Sequence, residues 1–168
     1  MGYTGRIVVG QTELPPAKSE TLRKFGVKLL WHGSYQDGWW QVQLDGDGER
    51  PAATLRALVA ETGRPVLSAF VLDSDFAEVV GMTPGGTRWR AYLNETAAAA
   101  YGAPPLPYLQ DELLTQMLGW AAEAGLAASA TTVGEVLSVK HVFAEEAVDA
   151  LLSALGLVPV DATAREAS

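Results

Sequence analysis

The sequence predicts an α+β domain: an antiparallel sheet built mainly from residues 1–93 with one interrupting helix, followed by a C-terminal helical segment. Three observations carry this. Short β-like runs separated by Gly, Pro and Asp fill the chain up to about residue 94. Helical periodicity takes over from there to about residue 156. Two turn signals, Asp37-Gly38 and Pro84-Gly85-Gly86, each stand between strand-forming runs. Residues 1–158 are expected to form one domain, strand-rich over 1–93 and helical over 94–158, with a flexible tail at 159–168 whose residues are small and polar.

The first hairpin follows from Asp37-Gly38, because a type I′ turn needs positive φ at both central residues. With those two as the loop, strands near 27–36 and 39–45 pair Tyr35 with Trp40, Gly33 with Val42 and Trp31 with Leu44 on an apolar face. Gln36 with Trp39, Ser34 with Gln41 and His32 with Gln43 make a polar one. Residues 45–51 read as a loop. Pro51 suits the first turn of a helix that ends at Gly63 and stripes Leu55, Leu58 and Val59 on one side. Residues 65–72 are apolar without alternation, the pattern of a central strand covered on both faces. Residues 76–82 and 87–93 flank the second turn. An even-length loop puts Phe76, Glu78, Val80 and Met82 on the face of Trp89, Ala91 and Leu93.

Asn94 is expected to cap a short helix over 95–101, and the proline-rich stretch 103–107 to act as a stiff linker. A long helix follows over 109–124. Thr132 and Glu135 have capping-box spacing, which places a helix start at Thr132. The last helix, 144–155, buries Ala147, Val148, Leu151, Leu152 and Leu155 and is stopped by Gly156.

Composition narrows the function classes. The chain has 168 residues, 48% of them hydrophobic, which fits one domain or two small ones and is too apolar for a disordered chain. No cysteine is present, so disulfides, thiolate zinc sites, iron–sulfur clusters and thiol nucleophiles are excluded. No run reaches the roughly 18 apolar residues of a membrane span, and no secretory signal opens the chain, so a cytoplasmic protein is expected. The net charge of −8 is one-sided: residues 1–90 carry ten bases and ten acids, whereas residues 91–164 carry one base, Lys140, and nine acids. Such a surface repels phosphate backbones and argues against nucleic acid, and it suits either plain solubility or a basic partner.

Motif tests for known chemistry fail. Gly81 and Gly86 have Walker A spacing but are followed by Thr87 and Arg88, with no phosphate-binding lysine. Pro51 stands where a dinucleotide fingerprint needs its third glycine, and no serine sits in a GxSxG elbow. Asp45, Asp47 and Glu49 begin like a calcium loop. Arg50 and Arg56 then occupy the sixth and twelfth positions, which leaves at most a weak cation site in a solvated loop. His32 and His141 lack ligand spacing and read as surface or capping residues. No cofactor and no metal are expected.

Four features remain. Asp73 and Asp75 follow the central strand, where paired carboxylates could do acid–base work or simply turn the chain. Glu78, placed among Phe76, Val80 and Trp89, would be a buried carboxylate, either functional or else at a strand edge or salt-bridged to an arginine. Arg88 and Arg90 share one strand face and could hold an anionic ligand or an acidic partner, or pair with local Asp and Glu, with Tyr92 beside them. Trp39, among glutamines, would be a partner hot spot if no helix covers it.

The segment LVAETGRPVLSAFVLDSDFAEVVGMTPGGTRWRAYL, residues 58–93, resembles one from uncharacterised proteins of high-GC bacteria, and the likeness extends over DGWWQVQLDG and the C-terminal helices. It implies no activity and no site residue, only that the central strand, the acidic turn and the following hairpin belong together. Function is thus expected to be non-catalytic: a module that binds a protein partner or its own copy, as an immunity-type or accessory protein does. The competing expectation is a small-molecule binder or enzyme with a pocket of acidic and arginine side chains, in which Asp73, Asp75, Glu78, Arg88 and Tyr92 would converge.

Overall fold

A computed structural model describes the backbone of residues 4–12, 20–21, 29–44 and 51–160, and the side chains among them except those of residues 29–32, 44, 51 and 52. The acidic loop at 45–50, with Asp45, Asp47 and Glu49, and the tail beyond residue 160 lie outside the described residues, as do the side chains of Trp31 and His32. The described elements are β1 (Gly5–Gln11), β2 (Leu29–Ser34), β3 (Trp39–Leu44), α1 (Pro51–Thr62), β4 (Val66–Leu72), β5 (Phe76–Met82), β6 (Arg88–Leu93), α2 (Glu95–Ala100), α3 (Gln110–Glu123), α4 (Ala130–Ser138) and α5 (Ala144–Ala154). The six strands form one antiparallel sheet in the order β2-β3-β1-β4-β5-β6. This is the α+β architecture expected, with the helical half packed on the sheet.

The apolar run in Gly5–Gln11, to which the sequence patterns assigned no element, is the strand between β3 and β4. Ile7, Val8 and Val9 are all buried, so β1 shows no alternation and is covered on both faces. β3 and β4 each pair antiparallel with β1 and therefore run parallel to each other. Joining them needs a crossover, and α1 supplies it. One sheet face carries α3, α4 and α5 over Ile7, Val9, Leu67, Val71, Val79, Trp89 and Leu93. The other carries α1 over Val8, Trp40, Val42, Val66 and Met82, and α2 over Phe76 and Tyr92.

Both hairpin registers differ by one residue from expectation. In the β2–β3 hairpin the loop is Gln36–Gly38, one residue longer, and Ser34 pairs with Trp40 and Gly33 with Gln41. Asp37 and Gly38 do take positive φ, 62° and 80°. The expected register rested on one buried and one wet face, but both faces of β3 are covered, Trp39 by the helices and Trp40 by α1, so alternation could not select it. In the β5–β6 hairpin the loop Thr83–Thr87 has an odd length, and Met82 pairs with Arg88, Val80 with Arg90 and Glu78 with Tyr92. Glu78 therefore leaves the face of Trp89 and joins that of Arg88, Arg90 and Tyr92.

Two glycine–tryptophan pairs lock the β5–β6 and β1–β3 registers. Gly81 lies across from Trp89, and a Cβ on Gly81 would stand 2.4 Å from the indole. Gly10 lies across from Trp40 in the same way, with 2.8 Å left. Each indole folds over the bare backbone of its partner. Trp89 then meets Trp120 of α3 edge-on at 6.4 Å. Trp120 Nε1 donates to the carbonyls of Val66 and Met82 at 3.2 and 3.1 Å, which fastens α3 to the paired ends of β4 and β5.

Two caps also differ. α4 starts at Ala130, and its cap is Ser129, whose hydroxyl accepts from the Thr132 N–H. Thr132 is thus the third helical residue, where a cap expects its donor. Asn94 precedes α2 in a left-handed conformation (φ 61°) and makes no side-chain cap. Its carboxamide is used at longer range, as described next.

Candidate functional site

The sequence-selected residues fall into two groups. Glu78, Arg88, Arg90 and Tyr92 share the α1/α2 face of the sheet, where Arg6, Phe70, Glu78 and Tyr92 stand in one cross-strand row. The Arg6 guanidinium lies 5.5 Å from the Phe70 ring centre and donates to Ser68 Oγ at 3.0 Å. Arg90 lies 5.9 Å over the Tyr92 ring. The Tyr92 hydroxyl donates to the Pro104 carbonyl at 2.8 Å. Burial pushes the Tyr92 hydroxyl above its ordinary value, the Arg90 charge opposes this, and Glu78 reinforces it. Glu78 is half-buried rather than enclosed, because α1 and α2 cover the two ends of this face and leave Phe70, Glu78, Val80 and Arg90 partly open between them.

Asp73 and Asp75 belong elsewhere. Asp73 and Ser74 are the two positive-φ residues (51° and 57°) of a tight β4–β5 turn closed by Asp75 N–H on the Leu72 carbonyl at 2.9 Å. Here the backbone reading of these carboxylates prevails. The Tyr101 hydroxyl donates to Asp75 Oδ2 at 2.6 Å, and this bond, with some burial, raises the Tyr101 hydroxyl above its ordinary value. Among the described residues no group of three or more His, Asp or Glu could hold a metal ion.

This turn is the hub of one end of the molecule. Ser74 Oγ donates to Glu145 Oε2 at 2.9 Å, and the Ala144 N–H donates to the Ser74 carbonyl at 2.8 Å, which docks the start of α5. Asn94 Nδ2 donates to the carbonyls of Asp75 and His141, while its Oδ1 accepts from the His141 N–H at 2.8 Å. Its left-handed backbone aims the carboxamide at the 139–143 loop, and that geometry explains why it does not cap α2. His141 is accordingly a clamped loop residue.

The loop so held presents Val139, Val142 and Phe143 to solvent, and Tyr101 stands beside them against Phe76 at 5.4 Å. Val142 is 81% exposed. These are four of the six large apolar side chains exposed among the described residues. Asp75 and Asp73 act on Tyr101, Glu95 and Lys140 share a cleft with Val139, and Glu145 and Glu146 follow Phe143 at the start of α5. Between α2 and the end of α4 runs a cleft of ≈ 500 Å³ with Ala97, Ala100, Leu137 and Val139 on its walls. The surface is an acid-rimmed apolar patch backed by five hydrogen bonds from Ser74, Ala144, Asn94 and His141.

Trp39, the expected hot spot, is 2% exposed and packs on Trp120 at 6.0 Å beneath the C-terminal helices. Its neighbours Gln41 and Gln43 made that face look wet, but the helices cover it. Sequence reasoning missed Tyr101, Val142 and Phe143. A signal was present in Val-Phe directly before Ala144-Glu-Glu, apolar residues outside the helix they precede, but the same pattern fits a staple folded onto the helix. Comparison of this chain with known protein families, with curated proteins and with solved structures found no match.

Proposed function

We propose that this chain is a non-catalytic protein-binding module that docks a basic protein surface against the patch around Tyr101, Val142 and Phe143. One observation carries the reading: the exposed apolar groups concentrate at the acidic end of the molecule, on a loop that Asn94 and Ser74 hold in place. Apolar centre and charged rim are the anatomy of a protein interface. An acidic rim draws a basic partner in and speeds its encounter. Against a catalytic pocket stands the division of the carboxylates, with Asp73 and Asp75 in a turn and Glu78 on an open sheet face. No helix of the described residues is long and apolar enough to cross a membrane.

Affinity capture from a bacterial lysate, run in parallel with wild type and two variants, tests this. Val142→Asp with Phe143→Ala removes the apolar centre, and Glu145→Lys with Glu146→Lys inverts the rim. The expected result is a basic protein held by wild type, released as salt rises, and bound at least about tenfold more weakly by both variants. Identical captured sets for wild type and variants would overturn the proposal. So would light scattering that shows a dimer broken by the same substitutions, since the occupant would then be a second copy.

A further inference from the structure

At the opposite side of the sheet edge, a second cleft of ≈ 470 Å³ opens on the helical face between β2, β3 and α5. Its volume lies in the range of small-molecule sites, about 300–1,000 Å³. Gln41, Gln43, Ser34, Asp149, Ser153 and Leu157 contribute to its walls. Gln41 is the notable member, because it is only 3% exposed. Its Oε1 accepts from the Tyr35 hydroxyl at 2.6 Å, which fixes the amide and leaves Nε2 for the cleft. Among the described residues Nε2 has no protein partner, nor does the Gln43 carboxamide. Buried side-chain donors normally have a hydrogen-bond partner.

We infer that this cleft binds a small neutral polyhydroxylated ligand of monosaccharide type. Its described polar walls are two carboxamides, three hydroxyls and one carboxylate, with no lysine or arginine among the described lining residues to hold a phosphate or carboxylate. Carboxamides and hydroxyls both donate and accept, which matches vicinal O–H groups that do the same. Leu157 offers an apolar wall to a C–H face. Residues 158–160 run beside the end of β2, with Pro159 at the cleft: Val160 N–H donates to the Ser34 carbonyl at 3.1 Å and Gln36 N–H to the Val158 carbonyl at 2.8 Å. This site is independent of the acidic patch and stands or falls without it.

Titration of the ¹⁵N-labelled protein with D-glucose, D-galactose, myo-inositol and glycerol, each alone, reads the site directly. At least one probe is expected to shift the Gln41 side-chain NH2 pair and the Gly33 and Ser34 amides together. The shifts should be saturable, with a dissociation constant on the order of 1 mM. Ser153→Trp fills the mouth from an exposed helix position and is expected to weaken this at least about tenfold without loss of fold. Gln41→Leu is the second variant, expected to abolish binding, with the dispersion of its spectrum reporting its folding. Absence of saturable shifts with all four probes would overturn the inference. Shifts unchanged in Ser153→Trp, or saturable binding of N-methylacetamide or inorganic sulfate in place of the polyols, would do the same.

Discussion

Gly81 shows what a single position without a side chain decides. The Trp89 indole occupies the space where any Cβ would be, at 2.4 Å, and is itself wedged under Trp120. Gly81→Ala is therefore expected to cost about 1–3 kcal/mol by overpacking. Gly119, in the middle of α3 with nothing within 4 Å of its missing Cβ, is the control. Gly119→Ala should stabilise by about 0.5–1 kcal/mol, because it removes backbone entropy from the unfolded chain. Chemical denaturation of the two variants checks both signs. A second residue-scale consequence concerns Tyr101. Its hydroxyl is held protonated first by the bond to Asp75, so its titration lies above the ordinary value in the folded state. A group whose folded value is raised contributes stability below its unfolded value, near 10, and loses it as pH rises through the folded one. Asp75→Asn removes the carboxylate acceptor. Ultraviolet titration is expected to show one tyrosine ionising at lower pH in that variant, and an unchanged curve would refute the assignment.

Elements are joined and closed by a few polar side chains from far along the chain. The β6 edge is blocked because the Tyr108 hydroxyl accepts from the Arg90 N–H at 2.6 Å and donates to the Arg90 carbonyl. One phenol thus satisfies both backbone groups that an added strand would use. Tyr108→Phe is expected to lose about 1–3 kcal/mol and to expose the edge, seen as concentration-dependent association by light scattering. A monomer of wild-type stability would show that the proline-rich linker guards the edge without it. The β5–β6 loop is fastened from α3: Glu123 accepts from the Thr87 hydroxyl at 2.7 Å, and this bond with those of Thr83 and Gly85 lowers its carboxyl below the usual range. At α4 the observed cap makes Ser129→Ala cost about 1 kcal/mol, more than Thr132→Ala, the reverse of what a capping box at Thr132 would give.

Across the whole molecule, exposed large apolar side chains concentrate beside the β4–β5 turn. There Ser74 meets the α5 start, and Asp75 and Glu145 lie in the same hydrogen-bond network, while the core lies on either side of the sheet. Val142 is largely exposed, so Val142→Asp should leave stability within about 0.5 kcal/mol while weakening partner capture. Thermal unfolding beside the capture experiment separates the two effects. A large loss of stability would make this loop part of the fold, not a contact surface.

Local chemistry determined much by itself. The apolar run at Val66–Leu72 reads as a strand covered on both faces and is one. Asp37-Gly38 and Asp73-Ser74 turn the chain with the positive φ that their residue types tolerate. Helices end at Gly63, Gly102, Gly125 and Gly156, each with positive φ, as the glycines announce. Tertiary structure alone decided register, and with it the company that each candidate keeps. A strand wetted on one face reports its register through alternation, but β3 and β5 bury residues on both faces, so a slip of one residue left the pattern nearly unchanged. The β5–β6 slip moved Glu78 from Trp89 to Tyr92. The packing of the C-terminal helices put Trp39 under cover that the local pattern around it could not reveal, and it left Gln41 at a cleft walled by α5, more than a hundred residues further on.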